Sequence, residues 1–134
     1  MTCFVNLQMI ENSKNVNLNV RISQGTVVGI EEVLPNGNPM YCYKGIPYAH
    51  PPVGTLRFQA PLPLDKFPTD LWDATKERDV SFQKDPFGSL TGAEDCLFLN
   101  VYTPVKNKHR NDSNLSVMIW LHGGAFLTGS GNAD

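Results

Sequence analysis

Apolar and polar positions are unevenly distributed along the 134-residue chain, and the pattern is one of strands. Residues 1–17 are polar and rich in Asn, and we expect a loose N-terminal arm there. Residues 20–23 and 26–33 are rich in β-formers and flank Gln24-Gly25, which predicts a hairpin. Asn36-Gly37 marks a turn between apolar stretches, and 40–44, Met-Tyr-Cys-Tyr-Lys, is the expected third strand of the same small sheet. Between 45 and 68 lie Pro47, Pro51, Pro52, Pro61, Pro63 and Pro68. Proline removes a backbone donor and fixes φ, so this stretch is expected to wrap in an extended path over another surface. Residues 70–84 are mixed, with at most one helical turn at 74–78, and 85–92 read as loop. Two further strands are expected at 97–102 (Leu-Phe-Leu-Asn-Val-Tyr) and 117–121 (Val-Met-Ile-Trp-Leu). The second is uniformly apolar, which suits a strand covered on both faces. No amphipathic helix is evident in the chain to cover it.

Composition narrows the function classes. The length holds one domain at most, at roughly 100–200 residues each. Eleven Gly and ten Pro, with only 18% charged residues, favour strands and turns over long helices. A net charge of −2 offers no basic surface for a phosphate backbone, so nucleic acid is not an expected partner. No apolar run approaches the ~18 residues of a membrane helix, so no membrane segment is expected. Cys3, Cys42 and Cys96 are few and odd in number, and His50, His109 and His122 are scattered. Neither a disulfide scaffold, a metal site nor a cofactor is expected. The N-terminus has no basic head followed by an apolar stretch, which favours a cytoplasmic location. Secretion is the alternative; sequons occur at Asn111 and Asn114, but a chain this rich in Asn, Ser and Thr carries one or two by chance.

Two segments carry candidate chemistry. The first is Trp120-Leu121-His122-Gly123-Gly124-Ala125-Phe126, an apolar strand running into a His-Gly-Gly turn. Glycines let the backbone take positive φ and bring N–H groups close to a ligand. Such N–H groups aimed at one point form an oxyanion hole. On Gly-Gly alone a plain tight turn is the simpler reading; the apolar strand upstream and the flanking His and aromatic favour the functional one. The second is residues 92–104, with Glu94 and Asp95 at a strand mouth. Paired carboxylates suit general acid–base work, but acids at a strand start more often cap turns or pair with a base. Arg57, between Leu56 and Phe58, needs such a partner if buried.

Three stretches in register, 45–61 (GIPYAHPPVGTLRFQAP), 92–104 (GAEDCLFLNVYTP) and 118–126 (MIWLHGGAF), resemble the type-B carboxylesterase family of carboxylesterases, cholinesterases and juvenile-hormone esterases. The resemblance covers about residues 20–131. It implies an α/β fold of the α/β-hydrolase kind: a small N-terminal sheet plus the first strands of the central sheet, incomplete. Residues 18–134 would be the N-terminal part of the domain, ending after the oxyanion loop. The strand that separates 97–102 from 117–121 would come from later sequence, leaving 117–121 uncovered. The implied activity is hydrolysis of a small-molecule carboxylic ester through a serine acyl-enzyme. Gly124 and Ala125 would be the oxyanion donors, with Gly123 and His122 supporting the turn. Arg57 and Glu94 would be a buried structural ion pair, a role preferred here to acid–base catalysis.

The chain departs from the family pattern in four ways. No serine has Gly at both −2 and +2; Ser130 has Thr128 and Asn132 there, so nucleophile, acid and base are expected outside the chain. Many members bridge the cysteine at Cys96 to one whose place here is Ser81, so Cys96 should be a free thiol. The 85–92 loop is short and lacks Trp, which argues against a cholinesterase. Ala125 stands for the third Gly of the commoner form, as in several insect esterases. The alternative function is a non-catalytic, esterase-like adhesion domain.

Overall fold

The computed structural model describes residues 8–9, 18–85, 87–105 and 115–132. Among them the strands are β1 (Gln8–Met9), β2 (Asn19–Ile22), β3 (Gly25–Val28), β4 (Ile30–Val33), β5 (Pro39–Pro47), β6 (Leu71–Asp73), β7 (Gln83–Lys84), β8 (Leu90–Thr91) and β9 (Phe98–Pro104). One sheet has the order β1-β2-β3-β6, a second β4-β5-β9, and β7-β8 form a separate ribbon. Within the expected loose arm, Gln8 and Met9 pair with Arg21 and Val20.

The hairpin around Gln24-Gly25 forms, with Val20 opposite Val27. It does not share a sheet with 40–44, as expected from sequence. The run 26–33 divides at Gly29, where a Cβ would collide with the Tyr43 ring. The chain crosses there from the first sheet to the second, and Ile30–Val33 pairs with β5 across the Asn36-Gly37 turn. β5 in turn pairs antiparallel with β9, and its register shifts between Tyr43 and Ile46. Gly45 supplies the left-handed backbone of that bulge at φ +66°, and its N–H donates to Asn100 Oδ1 at 2.7 Å.

No helical turn forms at 74–78. Ala74 is fully buried, and its backbone is already used between the sheets: its N–H donates to the Val28 carbonyl and its carbonyl accepts from Lys44 N. The preceding Leu71–Asp73 runs parallel to β3 as β6. The proline-rich wrap is mostly extended, broken by a 3-10 turn at Gly54–Leu56 and the turn that follows it at 56–59, and is tied down by Phe67 N donating to Gln24 O and His50 N to Leu62 O. It delivers Phe67 to the core, where it joins Val20, Val27, Tyr41, Tyr43 and Ala74. The Phe67 and Trp72 rings lie 5.6 Å apart, and Trp72 Nε1 donates to the Gly45 carbonyl. Cys42, on β5, is fully buried. Burial, with the Glu32 carboxylate it faces, pushes its thiol up to about 11, so it is an inert core thiol. Cys96 is a half-buried free thiol.

The expected strand at 117–121 does not form. Residues 115–123 have no regular structure, and no described residue pairs with them in a ladder. Met118 is 94% exposed and Trp120 71%. An apolar sequence becomes a strand only where another strand takes its N–H and C=O groups. Among the described residues no helix is long and apolar enough to cross a membrane.

Candidate functional site

The segment after residue 121 folds into a closed turn. Gly124 has φ +117°, and a Cβ there would collide with the Thr128 carbonyl oxygen. No L side chain fits the position. Ala125 and Phe126 follow at φ +52° and +59°, and Leu127 N donates back to Gly124 O at 2.9 Å. Positive φ at both central residues is the pattern that Asn-Gly or Gly-Gly usually fills. Ala and Phe there cost roughly 1–2 kcal/mol each. Backbone held at such a cost clusters at ligand-binding turns.

Gly124 and Ala125 are exposed, and among the described residues neither N–H donates to a protein acceptor. These are the two candidate oxyanion donors. Gly123 precedes them with open space where a Cβ would stand. His122 Nδ1 lies 2.7 Å from the Gly123 carbonyl; a carbonyl only accepts, so this bond needs the proton on Nδ1. Gly129 closes the turn at φ +107°, where a Cβ would sit 2.6 Å from both Gly123 O and His122 Nδ1.

Three side-chain amides that the sequence reading passed over hold this loop. Gln83 on β7 bonds Thr128 and Gly129. Asn100 on β9 accepts from Gly45 N and donates to Gly131 O at 3.0 Å. Asn132 donates to Arg78 O at 3.0 Å. For Asn100 a signal was available: it interrupts an otherwise apolar strand. Ser130 accepts from Asn132 N and has no base beside it among the described residues.

Arg57 Nη1 and Glu94 Oε1 lie 2.6 Å apart. The pair is not buried as expected: its side chains are 50% and 46% exposed. The Arg57 guanidinium also lies over the exposed Phe58 ring, 5.0 Å from its centre. Among the described residues neither side chain hydrogen-bonds to 122–132. A solvated pair contributes little, typically about 0.2–1 kcal/mol. Arg57→Ala is therefore expected to cost no more than about 1 kcal/mol in this chain. Hydrogen exchange over residues 40–46 in the two proteins measures it, and a loss several times larger would place the pair in a dry environment. The sequons at Asn111 and Asn114 lie outside the described residues.

Comparison with known proteins gives one consistent result. A model of the carboxylesterase family matches residues 16–133. A carboxylic ester hydrolase of Bombus ignitus is 40% identical, over 84% of this chain and 21% of its own length. Juvenile hormone esterase of Tribolium castaneum is 41% identical, over 82% of this chain and 18% of its own. Acetylcholinesterase-1 of Trittame loki is 38% identical, over 86% of this chain and 22% of its own. The chain thus spans about a fifth of the length of the curated relatives it matches.

Proposed function

The chain belongs to the carboxylesterase family, and from that premise we propose that it supplies the oxyanion hole of a serine-dependent carboxylic ester hydrolase. The family implies the α/β-hydrolase fold; the β1-β2-β3-β6 and β4-β5-β9 sheets are read as its N-terminal part. The observation that carries the proposal is that the N–H groups of Gly124 and Ala125 donate to no acceptor among the described residues, on a turn that excludes a side chain at Gly124.

On this reading a serine oxygen, losing its proton to a base, attacks the ester carbonyl carbon. The carbonyl oxygen takes the electron pair and becomes an oxyanion, which accepts hydrogen bonds from Gly124 N and Ala125 N. Collapse expels the alcohol, which takes the proton, and leaves an acyl-serine. Water then repeats the sequence and releases the acid. No serine in the 134 residues has Gly at both −2 and +2, so the nucleophile belongs to sequence outside them. The 134 residues alone are expected to be inactive. The 85–92 segment lacks Trp, which favours esters of uncharged alcohols over choline esters. Identities of 38% and 41% to an acetylcholinesterase and a juvenile hormone esterase do not separate those classes.

The adhesion-domain alternative gives the strained, donor-bearing turn nothing to do. Assay of the full-length protein with a p-nitrophenyl ester and a fluorophosphonate probe separates the two. Turnover, abolished by labelling of one serine outside residues 1–134, is expected. A folded full-length protein with neither turnover nor a labelled serine is the adhesion outcome.

A further inference from the structure

The glycine turn does not hold its own shape by neighbouring strands, since 115–123 enter no ladder with described residues. Of the three amides that hold the loop, Gln83 is the one that grips residues 128 and 129. Gln83 Oε1 accepts from Gly129 N at 2.6 Å and from Thr128 Oγ1 at 2.8 Å. Gln83 Nε2 donates to Gly129 O and Ser81 O, both at 3.0 Å. Two acceptor sites and two donors are all that a carboxamide has, and all four are used. The amide's orientation is fixed by its backbone partners, because an N–H can only donate and a carbonyl only accept.

Gly129 therefore gives both its backbone groups to Gln83, as it would to a neighbouring strand. Gly129 stands against His122 and Gly123, and Thr128 O stands against Gly124. The clamp thus grips the return leg on which the donor-bearing residues rest. Gln83 is itself fixed at the other end. It pairs with Thr91 in the β7-β8 ribbon, and Ala93 N donates to Val80 O at 2.9 Å just before Glu94.

We propose that Gln83 is a positioning residue for ester hydrolysis: its carboxamide locks Thr128 and Gly129 to the β7-β8 ribbon and so sets where the Gly124 and Ala125 N–H groups meet the oxyanion. This rests on the esterase reading above. Productive sites hold their groups to within about 0.5 Å, and a misplacement near 1 Å can lower rates about 100-fold. Loosening the turn weakens binding of the oxyanion and leaves binding of the neutral ester nearly alone.

The test uses the full-length enzyme, with active sites counted by fluorophosphonate titration so that misfolded molecules drop out. Gln83→Leu is expected to lower kcat per titrated site about 10–100-fold, with KM within about threefold of the parent. Affinity for a trifluoromethyl ketone, which forms a tetrahedral oxyanion adduct, is expected to fall in parallel with kcat/KM. Gln83→Met, which keeps the unbranched stem but not the amide, is expected to match Leu. Parental kcat in either variant assigns Gln83 to packing alone and overturns the inference. So does a loss confined to KM, or a ketone affinity that stays parental. A parent enzyme that hydrolyses no ester overturns the esterase reading and this inference with it.

Discussion

Gly124→Val is expected to lower kcat of the full-length enzyme by at least about 100-fold, while Gly123→Ala lowers it by less than about tenfold. The two glycines are adjacent in sequence and differ in what surrounds them. At Gly124 the backbone sits at φ +117°, and a Cβ would run into the Thr128 carbonyl. That oxygen belongs to the backbone, so it cannot swing aside as the end of a long side chain would. Relief requires the turn to open, which moves the Gly124 and Ala125 N–H groups together. Losing one oxyanion donor costs about 10²–10³ in kcat, so displacing two makes the lower bound a conservative one. At Gly123 a Cβ meets nothing within 4 Å. Steady-state kinetics on a p-nitrophenyl ester, normalised by active-site titration, compares the variants. Equal losses at the two positions would break the link between this turn geometry and catalysis.

That contrast between adjacent glycines was not legible in the sequence. His122-Gly123-Gly124 announced a turn after an apolar run, and the resemblance assigned Gly124 and Ala125 as donors. Which glycine is irreplaceable depends on Thr128 folding back over Gly124, a contact made by the closed loop as a whole. Gln83 was invisible for a related reason. It lies about forty-five residues before its partners, and nothing in Ser81-Phe82-Gln83 marks it. Asn100 was more legible, since an amide inside Leu-Phe-Leu-Asn-Val-Tyr needs a polar partner, and it finds Gly45 N and Gly131 O.

Elements set by short-range chemistry were read correctly. The hairpin at Gln24-Gly25, the turn at Asn36-Gly37 and the extended proline-rich wrap follow from which φ values Gly and Pro prefer and which donors Pro lacks. What depends on distant partners was misread. The run 26–33 looks like one strand until the Tyr43 ring is placed against Gly29. Residues 71–73 become β6 only because β3, far earlier in the chain, offers a free edge. The Arg57–Glu94 pair was named through resemblance, but its burial depends on whatever else covers the strand mouth, which two side chains cannot specify.

The same dependence on partners governs the stability of the 134 residues by themselves. Expressed alone, the chain is expected to show unprotected amides across 117–121, to bind a hydrophobic dye and to associate. Val117, Met118, Ile119, Trp120 and Leu121 are all at least 68% exposed, and Phe126 and Leu127 beyond them are exposed too. Burying one large apolar side chain is worth about 1.5–3 kcal/mol. An ordinary domain has a net stability of about 5–15 kcal/mol. The cover missing from this stretch is therefore of the same order as everything that keeps a domain folded. Its backbone N–H and C=O groups also enter no ladder with described residues, which leaves a template for pairing with another chain. The residues around β5 are placed differently. Tyr41, Cys42 and Tyr43 are buried on β5, which lies between β4 and β9, and the two tyrosines pack in one cluster with Val20, Val27 and Phe67. Hydrogen exchange followed by mass spectrometry should separate the two regions, with protection greatest over 40–46 and absent over 117–121. A purified 134-residue chain that melts in a single cooperative transition, with slow exchange across 117–121, would mean that this stretch finds its cover within the chain itself.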